Sequence, residues 1–262
     1  MQEVFLGKLS SEDVRECLRT NKTIIIPIGS TEQHGPHLPL TVDTDIAVEI
    51  ALKVAEKIGC LVAPPLYYGH STEHAGFPGS GWLQMETLGR VIEDVSVSYA
   101  EGGFKTIIWL NGHYGNDPAL FVTCTDLTGT SKIPKDARVM ALTYMYTLPD
   151  DILNEYLSWE KGWHAQEGET SVMLAIKPET VKMEKAPVEW PKFPRNNALM
   201  NAMFQGKGTV RRLMKTGIWG DARKATKEKG DKFLAEAVKS VAETIEQIDS
   251  IWSEVGHSDE AD

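Results

Sequence analysis

Residues 23–45 read TIIIPIGSTEQHGPHLPLTVDTD, an apolar run with three consecutive isoleucines that passes directly into a loop bearing two histidines, a glutamate, two aspartates and two prolines. The first part, Thr23 to Gly29, is rich in β-branched residues and lacks polar alternation, the pattern of a strand buried on both faces. Behind the loop, Ile46, Ile50, Val54 and Ile58 recur at i, i+4 spacing, the core stripe of an amphipathic helix. The same order returns downstream. CLVAPPLYYG (60–69) predicts a short strand stopped by Pro64 and Pro65, and Leu88, Val91, Ile92, Val95 and Tyr99 trace a helix closed at Gly102 and Gly103. KTIIWLNGH (105–113) is a second apolar strand ending in a turn, NDPALFVTCTDLTG (116–129) a helix with Pro118 in its first turn, and ARVMALTYMY (137–146) a third strand. Strands alternating with helices, each strand continuously apolar, predict an α/β domain whose mostly parallel sheet is covered on both faces.

The chain has 262 residues, enough for one domain with a sizeable core, and the expectation is a single domain over 1–262. Residues 185–219 are rich in Pro, Gly, Asn and Met with little periodicity, which predicts a long excursion or an oligomer contact. From Ala225 to Val255 a helix resumes, with Phe233, Val238, Val241, Ile245, Ile248 and Trp252 as its stripe, and GHSDEAD (256–262) predicts a frayed acidic tail. A net charge of -10 leaves no basic stripe for a phosphate backbone, so a small-molecule substrate is expected and nucleic acid is not. Cys17, Cys60 and Cys124 are odd in number and far apart, which fits reduced thiols in a cytoplasmic protein. The N-terminus lacks the basic start and apolar stretch of a signal peptide, and no eighteen apolar residues run together, so neither secretion nor a membrane is expected.

In open α/β sheets ligands sit beyond the carboxyl ends of the strands. Three polar loops fall at or near such positions: one with Glu32, His34, His37, Asp43 and Asp45; one with His113 and Asn116; and GWHAQEGETS (162–171), with His164, Glu167 and Glu169. Imidazoles and carboxylates without a thiol suit zinc, manganese or iron in a hydrolytic site. Glu32 and His34, two apart on an extended segment, can face one point, and Pro36 and Pro39 lower the entropy cost of fixing the loop. Each residue also has an ordinary structural explanation. Asp43 or Thr44 can cap the helix that follows, His113 can bond its own strand end, and Glu167 and Glu169 can favour a helix start. Singly those explanations are the better ones; three such loops together favour a site.

The blocks GSTEQHGPHLPLTVDTD, FPGS, NGHYGN and HAQEGETSVMLA, in this order, resemble the diagnostic blocks of the creatininase (creatinine amidohydrolase) family. The resemblance implies a three-layer α/β/α fold, a centre of two divalent metal ions that hydrolyses amide bonds, often cyclic ones, and assembly into a homo-oligomer, a hexamer. It further implies that Glu32 and His113 hold one ion, His34 the other, that Asp43 bridges them, and that His164 transfers the proton. Creatininase carries a metal-binding glutamate where this chain has Gly115; from relatives with the same glycine, Glu167 is expected to complete the second ion's shell, with Glu169 as its support or substitute. Met145 and Glu160 stand where creatininase closes its pocket with tryptophans, which argues against creatinine itself. Tyr114, Glu73, His74 and Trp163 are the expected substrate contacts. A formamide or a cyclic polyol ketone are alternative substrates; a metal-dependent isomerase or lyase and a non-catalytic metal-binding protein are the alternatives from other classes.

Overall fold

β-Branched runs extend because their side chains fit a pleated, buried surface better than a helix. In the computed structural model, which describes residues 3–128 and 130–255, four of the apolar runs form one sheet. These are β1 (Thr23–Ile28), β2 (Leu61–Val62), β3 (Thr106–Asn111) and β4 (Arg138–Thr143), in the order β2-β1-β3-β4, and every pairing is parallel. A smaller antiparallel sheet is formed by β5 (Gly162–His164), β6 (Val188–Glu189) and β7 (Trp219–Asp221). The helices, in chain order, are α1 (Ser11–Cys17), α2 (Val42–Ile58), α3 (Met85–Glu101), α4 (Asp117–Leu127), α5 (Asp150–Tyr156), α6 (Glu167–Ile176), α7 (Asn197–Phe204), α8 (Thr209–Leu213) and α9 (Lys227–Val255). The polar tail 256–262 lies outside the described residues.

Side chains alternate across each strand, and the core divides accordingly. Ile24, Ile26, Ile107 and Trp109 pack against α3 and α4 through Leu88, Ile92 and Leu120. On the other face Ile25, Ile108 and Leu110 meet α2 and α9 through Ile50, Val54, Val241 and Ile245. Helices on both faces of a mostly parallel sheet give the expected α/β/α arrangement.

The departures from the sequence pattern are local. The third apolar run leaves the sheet at Thr143, because Tyr144 turns its ring towards Phe233, and residues Tyr144–Thr147 form a 3-10 turn. Residues 185–219 hold β6, α7 and α8, elements too short to display a period. Their apolar residues, among them Leu199, Met203, Val210 and Met214, gather around Trp219 in a third hydrophobic cluster. Trp252, expected in the stripe of α9, is 42% exposed in a surface groove beside Phe121 and Val139.

What the fold fixes for function is the turn from β1 into α2. Gly29, just after β1, passes so close to the start of α2 that a Cβ there would sit 2.3 Å from the Thr44 backbone nitrogen and 2.6 Å from its Cα. A glycine lets strand end and helix start touch, and this contact sets where Asp43 stands. Gly29→Ala is therefore expected to cost about 1–3 kcal/mol through overpacking against backbone that cannot yield. A chemical-denaturation midpoint equal to that of the unaltered protein would contradict this account of the turn.

Candidate metal centre

The loops after the parallel strands converge. Glu32 and His34 come from the loop after β1, Asp43 from the first turn of α2, His113 from the turn after β3, and His164 and Glu169 from the end of β5 and the start of α6. All are buried or nearly so, with Glu32, His34 and Asp43 exposed by 4% or less. The ligand atoms of Glu32, Asp43 and His113 lie within 4.8 Å of one another, as do those of His34, Asp43 and Glu169. Asp43 is common to both groups. Glu32, His34 and His164 form a further such group, and Glu32, Glu73 and His74 another.

Asp43 divides its oxygens between two imidazoles. Its Oδ1 lies 3.1 Å from His34 Nε2 and its Oδ2 3.1 Å from His113 Nδ1. Ser30 Oγ donates to Oδ2 at 2.7 Å, which holds the carboxylate in this orientation. The helix begins at Val42, with Thr41 at the cap position and no side chain closing it, so the capping explanation for Asp43 or Thr44 does not hold. Both histidines are oriented from behind. His34 Nδ1 donates to the Glu32 carbonyl at 3.2 Å, and His113 Nε2 donates to the His70 carbonyl at 2.9 Å. Each ring thereby presents its remaining nitrogen to Asp43, the arrangement by which backbone acceptors select the tautomer of a metal-binding histidine.

Glu169 and His164 are set by an unusual backbone. Ala165, between them, has φ 51°, a left-handed conformation that non-glycine residues adopt at a cost of roughly 1 kcal/mol or more. In that conformation its N–H donates to Glu169 Oε2. The His164 ring is fixed by Nε2 donating to the Gln33 carbonyl at 2.8 Å, which leaves Nδ1 facing Glu32 Oε1 at 3.7 Å. Gln33 also donates through its side-chain amide to His74 Nδ1 at 3.0 Å and to the Gly217 carbonyl at 2.8 Å. Its part in orienting two histidines was not legible in the sequence, where a glutamine between a glutamate and a histidine carries no signal of its own.

The electrostatics call for positive charge. Glu32, Asp43, Glu73 and Glu169 line one pocket, and no lysine or arginine is among its described lining residues. Burial pushes the Glu32 carboxyl up to about 8 and that of Glu169 up to about 7. For His34 burial opposes protonation, but the Asp43 carboxylate outweighs it and holds the imidazole at about 9. Glu32 Oε2 and Glu73 Oε1 are buried oxygens with no hydrogen-bond partner in the protein. Buried acceptors left unpaired beside oriented imidazole nitrogens fit divalent cations, which satisfy the oxygens and displace the shared protons.

Of the expected residues, Glu32, His34, Asp43 and His113 come together as described, and His164 stands beside them. Glu73, His74, Tyr114 and Trp163 line the same pocket, Glu73 and His74 more deeply than a contact at the mouth requires, at 2% and 4% exposure. Glu167 does not reach the centre. Its carboxylate accepts from Lys161 Nζ at 3.3 Å and Lys229 Nζ at 2.5 Å, in a separate cavity. Residues 167 and 169 are two apart at the start of α6, so a helix turns them to different sides, and the side facing the centre belongs to Glu169. Gly115 is equally constrained: a Cβ there would lie 2.2 Å from the His70 carbonyl oxygen that orients His113. Met203, Val210 and Met214, from the aperiodic segment, roof the pocket and were not anticipated.

Three comparisons bear on this arrangement. The creatininase family model, described as creatinine amidohydrolase, matches residues 7–245. A mycofactocin precursor peptide peptidase of Mycolicibacterium smegmatis is 32% identical, over 86% of this chain and 84% of its own length. A creatinine amidohydrolase of Pseudomonas putida is 28% identical over 94% and 97%, and a 3-dehydro-scyllo-inosose hydrolase of Thermotoga maritima is 32% identical over 72% and 61%. Among solved structures, a creatininase superposes with a TM-score of 0.78 at 27% identity, covering 94% of this chain and 98% of that one. Two further creatininase structures of 26% identity, each covering 94% of this chain and 98% of its own, are described as Zn-Zn type and as Mn, with TM-scores of 0.79 and 0.78.

The two glutamates of α6 give a direct test. Elemental analysis of purified variants is expected to find that Glu169→Ala loses about half of the bound divalent metal while Glu167→Ala keeps all of it. Loss from Glu167→Ala with full retention by Glu169→Ala would reverse the assignment.

Proposed function

The chain belongs to the creatininase family of hydrolases, and on that premise we propose that it hydrolyses the carbon–nitrogen bond of a cyclic amide at a centre of two divalent ions, Zn, Mn or Fe. The observation that carries this reading is the position of Asp43, whose two oxygens face two differently anchored imidazoles. Glu32 and His113 complete one ligand set around it, and His34 and Glu169 the other. Held there, such ions supply Lewis acidity to a carbonyl and make a water nucleophilic near neutral pH.

The chain's own residues supply the rest. His164 carries the proton: burial and the neighbouring His34 hold its imidazole below the ordinary histidine range, so the ring is neutral near pH 7, and Nδ1 faces the site. It takes a proton from the attacking water and delivers it to the leaving nitrogen, one group serving in turn as base and acid. Gln33 holds the ring still while this happens. The peptide around Tyr114 and the side chains of Glu73, His74 and Trp163 orient the substrate at the pocket wall. Creatinine is not the substrate proposed. Met145 is buried in the wall and Glu160 is exposed, so neither supplies the flat aromatic lid that their counterparts do in creatininase.

His164→Ala is expected to leave metal content unchanged and to lower turnover of a responsive lactam or hydantoin by about 10²–10⁴-fold. Incorporation of oxygen-18 from labelled water into the product is expected from the unaltered protein. Unchanged turnover in the variant would remove His164 from the mechanism, and product without label would favour an isomerase or lyase over a hydrolase.

A further inference from the structure

The pocket that holds the carboxylates and histidines is small, about 40 Å³, room for no more than a few water-sized groups. Beside it lies a wider chamber of about 530 Å³, within the range of roughly 300–1,000 Å³ typical of pockets that take whole small ligands. Glu73, Tyr114, Trp163 and Phe204 line both, so these four form the neck between them. Beyond the neck the walls include Met85, Tyr146, Leu153 and Met200. Tyr146 is 60% exposed and Phe204 37%, large rings left open to water at the edge of a site. Tyr146 is nonetheless held in place, its hydroxyl donating to Asp117 Oδ2 at 2.7 Å and its ring 5.6 Å from that of Tyr114.

Charge narrows the occupant. No lysine or arginine is among the described residues lining the chamber, whereas Glu73 and Asp117 both do. An anionic group entering it would give up water for a mostly apolar wall that carries two carboxylates and, among the described lining residues, a single imidazole, His70. An uncharged apolar group gains from the same wall.

We infer that the substrate carries an uncharged apolar arm, aromatic or branched aliphatic, which occupies this outer chamber while its amide reaches through the neck to the inner pocket. The inference rests on the amide-hydrolase reading and makes it narrower. Discrimination among substrates lies in the chamber formed by α5, α7 and the turns after β3 and β4, and an unsubstituted small lactam binds poorly because it leaves the chamber to water.

Calorimetric titration of the full chain with two probes, acetohydroxamate and 2-naphthylacetohydroxamate, tests this without turnover. On metal-loaded protein the naphthyl probe is expected to bind about tenfold or more tightly than the acetyl probe, the scale expected when an aromatic arm leaves water. Met200→Trp and Leu153→Trp, which fill the chamber from opposite elements, are each expected to abolish that ratio. Repeating the titrations on chelator-treated protein separates the two readings. Loss of acetohydroxamate binding there supports the metal centre, while its persistence counts against the metal centre and leaves the chamber ratio to be judged separately. Equal affinities for the two probes, a ratio that survives both substitutions, or self-association of the chain that excludes the naphthyl probe would overturn the proposed arm.

Discussion

The constraint on which the rest of the structure depends is the burial of four carboxylates around one small pocket with no lysine or arginine among its described lining residues. Burying an ion away from water is costly unless an opposite charge accompanies it, and here only histidines are at hand. The fold fixes Asp43, Glu169 and two of the histidines from behind. Ser30 holds Asp43, backbone carbonyls select the tautomers of His34 and His113, and the left-handed Ala165 aims an amide at Glu169. Such rigidity lets a site keep like charges near one another for a cation to join, rather than relaxing them apart.

Gly115 and the backbone at His70 fit against one another. With glycine at 115, the backbone at His70 closes over the turn after β3, where a Cβ would collide with its carbonyl oxygen. That carbonyl then becomes the acceptor for His113 Nε2. Across the pocket, a carboxylate oxygen of Glu169 lies within 4.8 Å of ligand atoms of His34 and Asp43. Glu167 pairs with Lys161 and Lys229 and ties the start of α6 to the residue before β5 and to α9.

Much of this was legible in the sequence, for identifiable reasons. The isoleucine-rich strands announce themselves by continuous apolarity, and the loop residues Glu32, His34, Asp43 and His113 by their chemistry at strand ends. Choosing between Glu167 and Glu169 was beyond sequence spacing, because it depends on where α6 begins, and a shift of one or two residues turns a different side chain inward. Gln33 and the His70 carbonyl act through hydrogen bonds to backbone or through backbone itself, which residue type does not record. The roof from Met203 to Met214 belongs to helices too short to carry a period, held by clustering around Trp219 rather than by any pattern along the chain.

The central claim is that Asp43 stands between two cation positions rather than beside one. Anomalous diffraction from crystals of the metal-loaded protein, recorded at the absorption edge of the bound element, tests it most directly. Two peaks per chain are expected, one among Glu32, Asp43 and His113 and one among His34, Asp43 and Glu169. A single peak, or a peak among Glu32, Glu73 and His74 with none at Asp43, would contradict the account.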